Sequence, residues 1–91
     1  MFLNQEKEIT ASKLFVYGTF WCGDCLRAKR FFDRHHIEYE WINIDKNKEG
    51  ERYVLEVNHG KRIVPTILFP DGYILVEPSN TQLEEKFDAI E

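Results

Sequence analysis

Residues 13–18 (KLFVYG) pack β-branched and aromatic side chains into a short run stopped by glycine, the pattern of a buried strand. Beyond it, Cys22, Cys25, Ala28 and Phe32 recur at helical spacing with Leu26 and Phe31 beside them, while Asp24, Arg27, Lys29 and Arg30 fall between. That is an amphipathic helix ending near His35 and His36. Residues 37–45 (IEYEWINID) alternate as a second strand does. From Asn47 the chain is polar, then periodic through Tyr53, Val54 and Val57, and Gly60 is placed as the C′ residue of a second helix.

Residues 63–69 and 73–77 read as two strands joined by Pro70-Asp71-Gly72, and Asp-Gly at that separation is a hairpin signal. Ser79 and Gln82 form a capping box ahead of Leu83, Phe87 and Ile90, so a closing helix follows. Residues 1–12 are mostly polar and predict a weakly ordered lead-in to a single domain over residues 13–91. The order β-α-β-α-β-β-α predicts an α/β domain with a mixed four-stranded sheet flanked by helices.

Composition narrows the possible partners. With 43% hydrophobic residues, 7 Phe, 4 Tyr and 2 Trp, a chain of 91 residues can build a modest core. A net charge of -4 supplies no overall basic field for nucleic acid or an anionic membrane. No stretch approaches the ~18 apolar residues of a membrane span, and the start MFLNQEKEITAS lacks the cationic and apolar segments of a secretory signal. A monomer in the cytoplasm is expected, where thiols are kept reduced and a lasting structural disulfide is rare.

Both cysteines lie in FWCGDC, residues 20–25. A structural zinc site needs four ligands, and the other candidates are His35, His36 and His59. Helical rise puts His35 and His36 about 15 Å or more from Cys22, too far to share an ion. A structural staple is a poor alternative, because so short a ring contributes only about 2 kcal/mol. A reversible dithiol couple fits compartment, spacing and position together.

The pair falls at the turn from the first strand into the first helix, on the carboxyl edge where α/β folds hold their sites. There the unpaired N–H groups and the positive end of the helix dipole favour a thiolate on Cys22, the candidate nucleophile. Cys25, one turn further in, faces the core and is expected to stay protonated until it resolves a mixed disulfide on Cys22. Asp24 adds a tuning charge that disfavours the thiolate and so favours the disulfide.

FWCGDC, the later RIVPT and the element order together resemble the thioredoxin superfamily, from about Leu14 to the C-terminus, and the chain length is similar to that of a glutaredoxin. WCGDCLRAKRFFD, VPTILFPDG and EPSNTQLEEKF are most similar to the mycoredoxins. The resemblance implies a thioredoxin-like fold and a glutaredoxin-like disulfide reductase that acts through Cys22 and Cys25. Its substrates would be mixed disulfides with a low-molecular-weight thiol, mycothiol or a glutathione-like one, and disulfide-bearing proteins. No cofactor would be bound, and a separate reductase would recycle the couple. The resemblance also implies a cis Pro65 facing the cysteines, which leaves the Val64 backbone free to pair with a thiol substrate.

The chain departs from glutaredoxins at Ile63-Val64-Pro65, where they carry Thr-Val-Pro, and at Pro78-Ser79-Asn80, which replaces a Gly-Gly and acidic stretch. Ser79 and Asn80 offer hydroxyl, amide and N–H groups to a carboxylate or sugar hydroxyls, or form a plain helix cap. Trp21 is either a flat contact for a partner or packs on the sheet. Arg62 either meets a substrate carboxylate or aids the thiolate, or is a surface charge, as Lys13 can be. Arg27, Lys29 and Arg30 read as the wet face of the first helix, and His59 as a helix-end residue favouring the dipole. Two other functions share the motif: an iron-sulfur cluster held between two subunits, and electron donation to one reductase such as a ribonucleotide reductase.

Overall fold

The computed structural model describes residues 13–90. The expected lead-in over residues 1–12 lies outside them, as does the Ile90 side chain. The elements are β1 (Phe15–Gly18), α1 (Gly23–Arg34), β2 (Glu40–Asn43), α2 (Lys48–Val57), β3 (Thr66–Leu68), β4 (Ile74–Val76) and α3 (Asn80–Ile90), in the order the sequence predicts. The sheet runs β2-β1-β3-β4, with β1 parallel to β2 and antiparallel to β3, and β3 antiparallel to β4.

Alternation along β1 decides which helix covers which face. Leu14 and Val16 are buried with Ala28, Phe31 and Phe32 of α1, Ile67 and Phe69 of the hairpin, and Leu83 of α3. Apart from Ala28, each such side chain contributes about 1.5–3 kcal/mol through removal from water. Tyr17 points to the other face and packs on Tyr53 of α2, ring centroids 4.9 Å apart. Behind it, the Asn58 amide donates to Thr66 Oγ1 (3.1 Å) and to the Val54 carbonyl (2.9 Å). So α1 and α3 cover one face and α2 the other.

Several element ends differ from expectation, each for a local reason. α2 ends at Val57, with Asn58 as its cap. The left-handed C′ position falls to His59 (φ 58°), and Gly60, expected there, follows it and donates to the Leu55 carbonyl (2.6 Å). Asn58 fixes this register, because its backbone N–H also bonds Val54 O (3.1 Å). α1 closes alike: His36 has φ 56°, and Ile37 N–H reaches Phe32 O (2.9 Å), which delays β2 to Glu40. β3 begins at Thr66, after the cis peptide Val64–Pro65 that the resemblance implies, and the Thr66 hydroxyl turns back to Ile63 O (2.8 Å). At the hairpin, Gly72 (φ 90°) donates to Phe69 O (2.9 Å), the left-handed glycine of a three-residue loop.

Candidate active site at the start of the first helix

Cys22 is the N-cap of α1, with extended backbone (φ -91°, ψ 118°). Its sulfur accepts the Cys25 N–H at 3.4 Å and lies 3.9 Å from the Val64 carbonyl, so the peptide before cis Pro65 faces it across the cleft. One atom thus serves as candidate nucleophile and as helix cap. Both cysteines are free thiols.

Cys25 is fully buried. Burial pushes its thiol up to about 12, a hydrogen bond from the Thr19 backbone pulls the other way, and Cys22 and Asp24 add to the rise. Gly18 makes room for this sulfur: a Cβ there would lie 2.5 Å from Cys25 Sγ and 2.9 Å from the Trp41 ring. The glycine that stops β1 in the sequence is therefore also a wall of the thiol's pocket.

Trp21 projects into solvent, 71% exposed, and does not pack on the sheet. Its Nε1–H donates to Asp45 Oδ2 (3.0 Å), while Asp45 Oδ1 accepts from Arg62 Nη2 (2.6 Å) and Arg62 Nε donates to Glu51 Oε2 (2.7 Å). The Arg62 guanidinium, then the indole, hold the Asp45 carboxyl below the usual carboxylate range. Arg62 is thus bonded within the protein rather than a free surface charge. Lys13 pairs with Glu40 at 3.6 Å.

On the opposite side, Arg27 corrects its assignment to the wet face of α1. Its Nη2 donates to Asp24 Oδ1 (3.1 Å), and its Nη1 to the Pro78 carbonyl (3.1 Å) and Asn80 Oδ1 (3.2 Å). It ties Asp24 to the start of α3. The Asp24–Arg27 spacing of i,i+3 is the signal that points to it. Lys29 is likewise not merely solvated, with Nζ 4.0 Å above the Trp41 ring. Ser79 forms the expected box: its N–H donates to Gln82 Oε1 (2.8 Å) and its Oγ accepts the Gln82 N–H (3.1 Å).

The structure thus sets Cys22 against Val64 of the cis-proline loop, with Cys25 buried behind it, Trp21 tied through Asp45 to Arg62, and Asp24 tied through Arg27 to Pro78 and Asn80. Among the described residues, no cluster of three or more His, Cys, Asp or Glu is arranged to hold a metal ion. None of their helices is long and apolar enough to cross a membrane.

Comparison with known proteins bears on the same segments. The glutaredoxin family profile matches residues 14–74. A Mycobacterium tuberculosis protein provisionally named a glutaredoxin is 41% identical over 82 residues, covering 90% of this chain and 96% of its own. Mycoredoxin 1 of Corynebacterium glutamicum is 33% identical over 79 residues, covering 87% and 98%. The thioredoxin-like protein BC3987 superposes with a TM-score of 0.68 at 23% identity, over 80% of this chain and 97% of its own. The glutaredoxin of Archaeoglobus fulgidus gives 0.66 at 23%, over 90% and 92%. These structures show the fold to be thioredoxin-like. Because the profile covers the cysteine turn and the cis-proline loop alike, the chain belongs to the glutaredoxin family, and its activity is that of a glutaredoxin-like thiol oxidoreductase.

Proposed function

We propose that this protein reduces mixed disulfides and protein disulfides, with Cys22 as nucleophile and Cys25 as resolving thiol. The observation that carries this reading is the asymmetry of the two sulfurs: Cys22 is partly exposed at a helix start, and Cys25 is fully buried with its thiol pushed up to about 12. The Cys22 thiolate attacks one sulfur of the substrate disulfide, that S–S bond breaks, and the far sulfur leaves as a thiolate that takes up a proton. The adduct on Cys22 then leaves by either of two routes. A second small thiol attacks the adduct sulfur and frees Cys22. Alternatively Cys25 loses its proton and attacks Cys22, which expels the adduct as a thiol and leaves a Cys22–Cys25 disulfide. Forming the adduct removes the negative charge of Cys22, one of the causes that hold Cys25 protonated.

The Val64 backbone and Pro65 face the incoming sulfur, Trp21 gives it a flat apolar wall, and Ser79 and Asn80 border the cleft beyond Arg27. The co-substrate is a low-molecular-weight thiol, mycothiol or a glutathione-like one. The partners are disulfide-bearing proteins and a separate recycling reductase. The protein works as a cytoplasmic monomer.

Cysteine-to-serine variants test the roles. Cys22→Ser is expected to abolish exchange with every disulfide, whereas Cys25→Ser keeps removal of small-thiol adducts and loses protein disulfide reduction. Equal loss of both activities in both variants would overturn the assignment. Mass spectrometry of what becomes trapped on Cys22 of the Cys25→Ser protein in native lysate identifies the thiol.

A further inference from the structure

Arg62 lies two residues before Val64, whose carbonyl is 3.9 Å from Cys22 Sγ, and is joined through Asp45 to Trp21, the neighbour of Cys22. Its side chain is 35% exposed, yet its Nε and Nη2 are taken by Glu51 (2.7 Å) and Asp45 (2.6 Å). A guanidinium holds a carboxylate through two parallel N–H bonds. The side edge, Nε with Nη2, is occupied; the Nη1 end keeps its N–H groups, so what the two carboxylates take from Arg62 is chiefly its charge. Two carboxylates face this one guanidinium; Lys46 adds a charge that Asp45 feels without taking either carboxylate from Arg62. The other flank repeats the pattern, since both terminal nitrogens of Arg27 go to Asp24, Pro78 and Asn80. Both arginines beside the cleft are engaged by the protein's own acceptors.

We propose that Glu51 and Asp45 are specificity-determining residues: by holding Arg62 they withhold it from anionic substrates, so the protein favours disulfides whose organic groups carry no carboxylate near the sulfur. The inference rests on the disulfide-reductase reading above and adds the charge class of the substrate. The chemistry is unchanged. The reduced Cys22–Cys25 pair gives two electrons to one substrate disulfide, which leaves as two thiols, and the protein ends as the Cys22–Cys25 disulfide.

Two model disulfides of similar size separate the inference from its premise: uncharged bis(hydroxyethyl) disulfide and the dianion dithiodipropionate. Each is mixed in excess with the fully reduced protein, and formation of the intramolecular disulfide is timed by acid quenching and mass. Glu51→Gln, which leaves the indole anchor on Asp45 in place, is expected to raise the rate with the dianion about three- to fivefold, the scale of an exposed ion pair. The rate with the uncharged disulfide should change by less than about twofold on the same scale. The gain should fade at high salt and vanish when Arg62→Met is added. An unchanged ratio of the two rates in folded Glu51→Gln would overturn the inference while leaving the reductase reading intact. Failure of wild-type protein to react with either disulfide would overturn both.

Discussion

A methyl group at residue 18 would meet the Cys25 sulfur at 2.5 Å and the Trp41 ring at 2.9 Å, and neither neighbour is the loose end of a long side chain. Gly18→Ala is therefore expected to destabilise the protein by about 1–3 kcal/mol, as overpacking of a tight core does; urea titration of the reduced protein measures it. Because the strain falls on the resolving thiol, Cys25-dependent protein disulfide reduction should suffer more than removal of small-thiol adducts. Asp24 acts at the same scale through charge. It adds to the forces that keep Cys25 protonated, while Arg27 at 3.1 Å offsets part of it. Asp24→Asn should favour thiolates and make the couple more oxidising. The rate of Cys22 alkylation near neutral pH should rise about two- to threefold, the scale of an exposed charge, and an unchanged rate and potential would leave Asp24 a solvated residue only.

The ends of the helices show what a sequence reveals about elements and what it hides. Ser79 with Gln82, and Asp71 with Gly72, are legible because short-range spacing and residue type suffice to write a cap or a turn. The closures of α1 and α2 are not, since His36 and His59 take up left-handed backbone only because Ile37 and Gly60 reach back to carbonyls a turn earlier. Histidine enters that conformation more often than most residues, yet its type alone does not mark the position. Replacing each by glycine should relieve the backbone cost and stabilise the protein by about 0.5–1 kcal/mol net of the added freedom of the unfolded chain. Thermal unfolding of His36→Gly and His59→Gly checks this, with no change expected in exchange activity. The late start of the third strand is hidden in the same way: hydrophobicity covers residues 63–65, but the ladder begins at Thr66, whose hydroxyl turns back to Ile63 O.

Across the whole molecule, the two sulfurs were legible from motif and topology, and the cis-proline loop through the family resemblance. The two arginine networks were not, because each joins segments far apart in the chain: Asp45, Glu51 and Arg62 from three on one flank, Asp24 and Arg27 with Pro78 and Asn80 from two on the other. Global stability should also carry the imprint of the buried thiol. The folded value of Cys25, about 12, lies above the ~8.5 of an unfolded cysteine. Its contribution is therefore fully present below about pH 8.5 and lost as pH rises toward 12. Tyr17, Tyr39 and Tyr53, raised chiefly by burial, add the same sign above about pH 10. Urea midpoints of reduced protein should fall between pH 7.5 and 9.5 by more in wild type than in Cys25→Ser, at roughly those two pH values chosen to bracket the unfolded thiol. The double duty of Cys22 has one more outcome. Its sulfur caps α1 through the Cys25 N–H at 3.4 Å, and a thiolate there accepts a stronger, charge-assisted bond than the neutral sulfur of an adduct or disulfide. Under the nucleophile role proposed for Cys22, each round of exchange loosens and re-ties the first turn of the helix, and the deuterium uptake of that one backbone amide is expected to follow the occupancy of its sulfur.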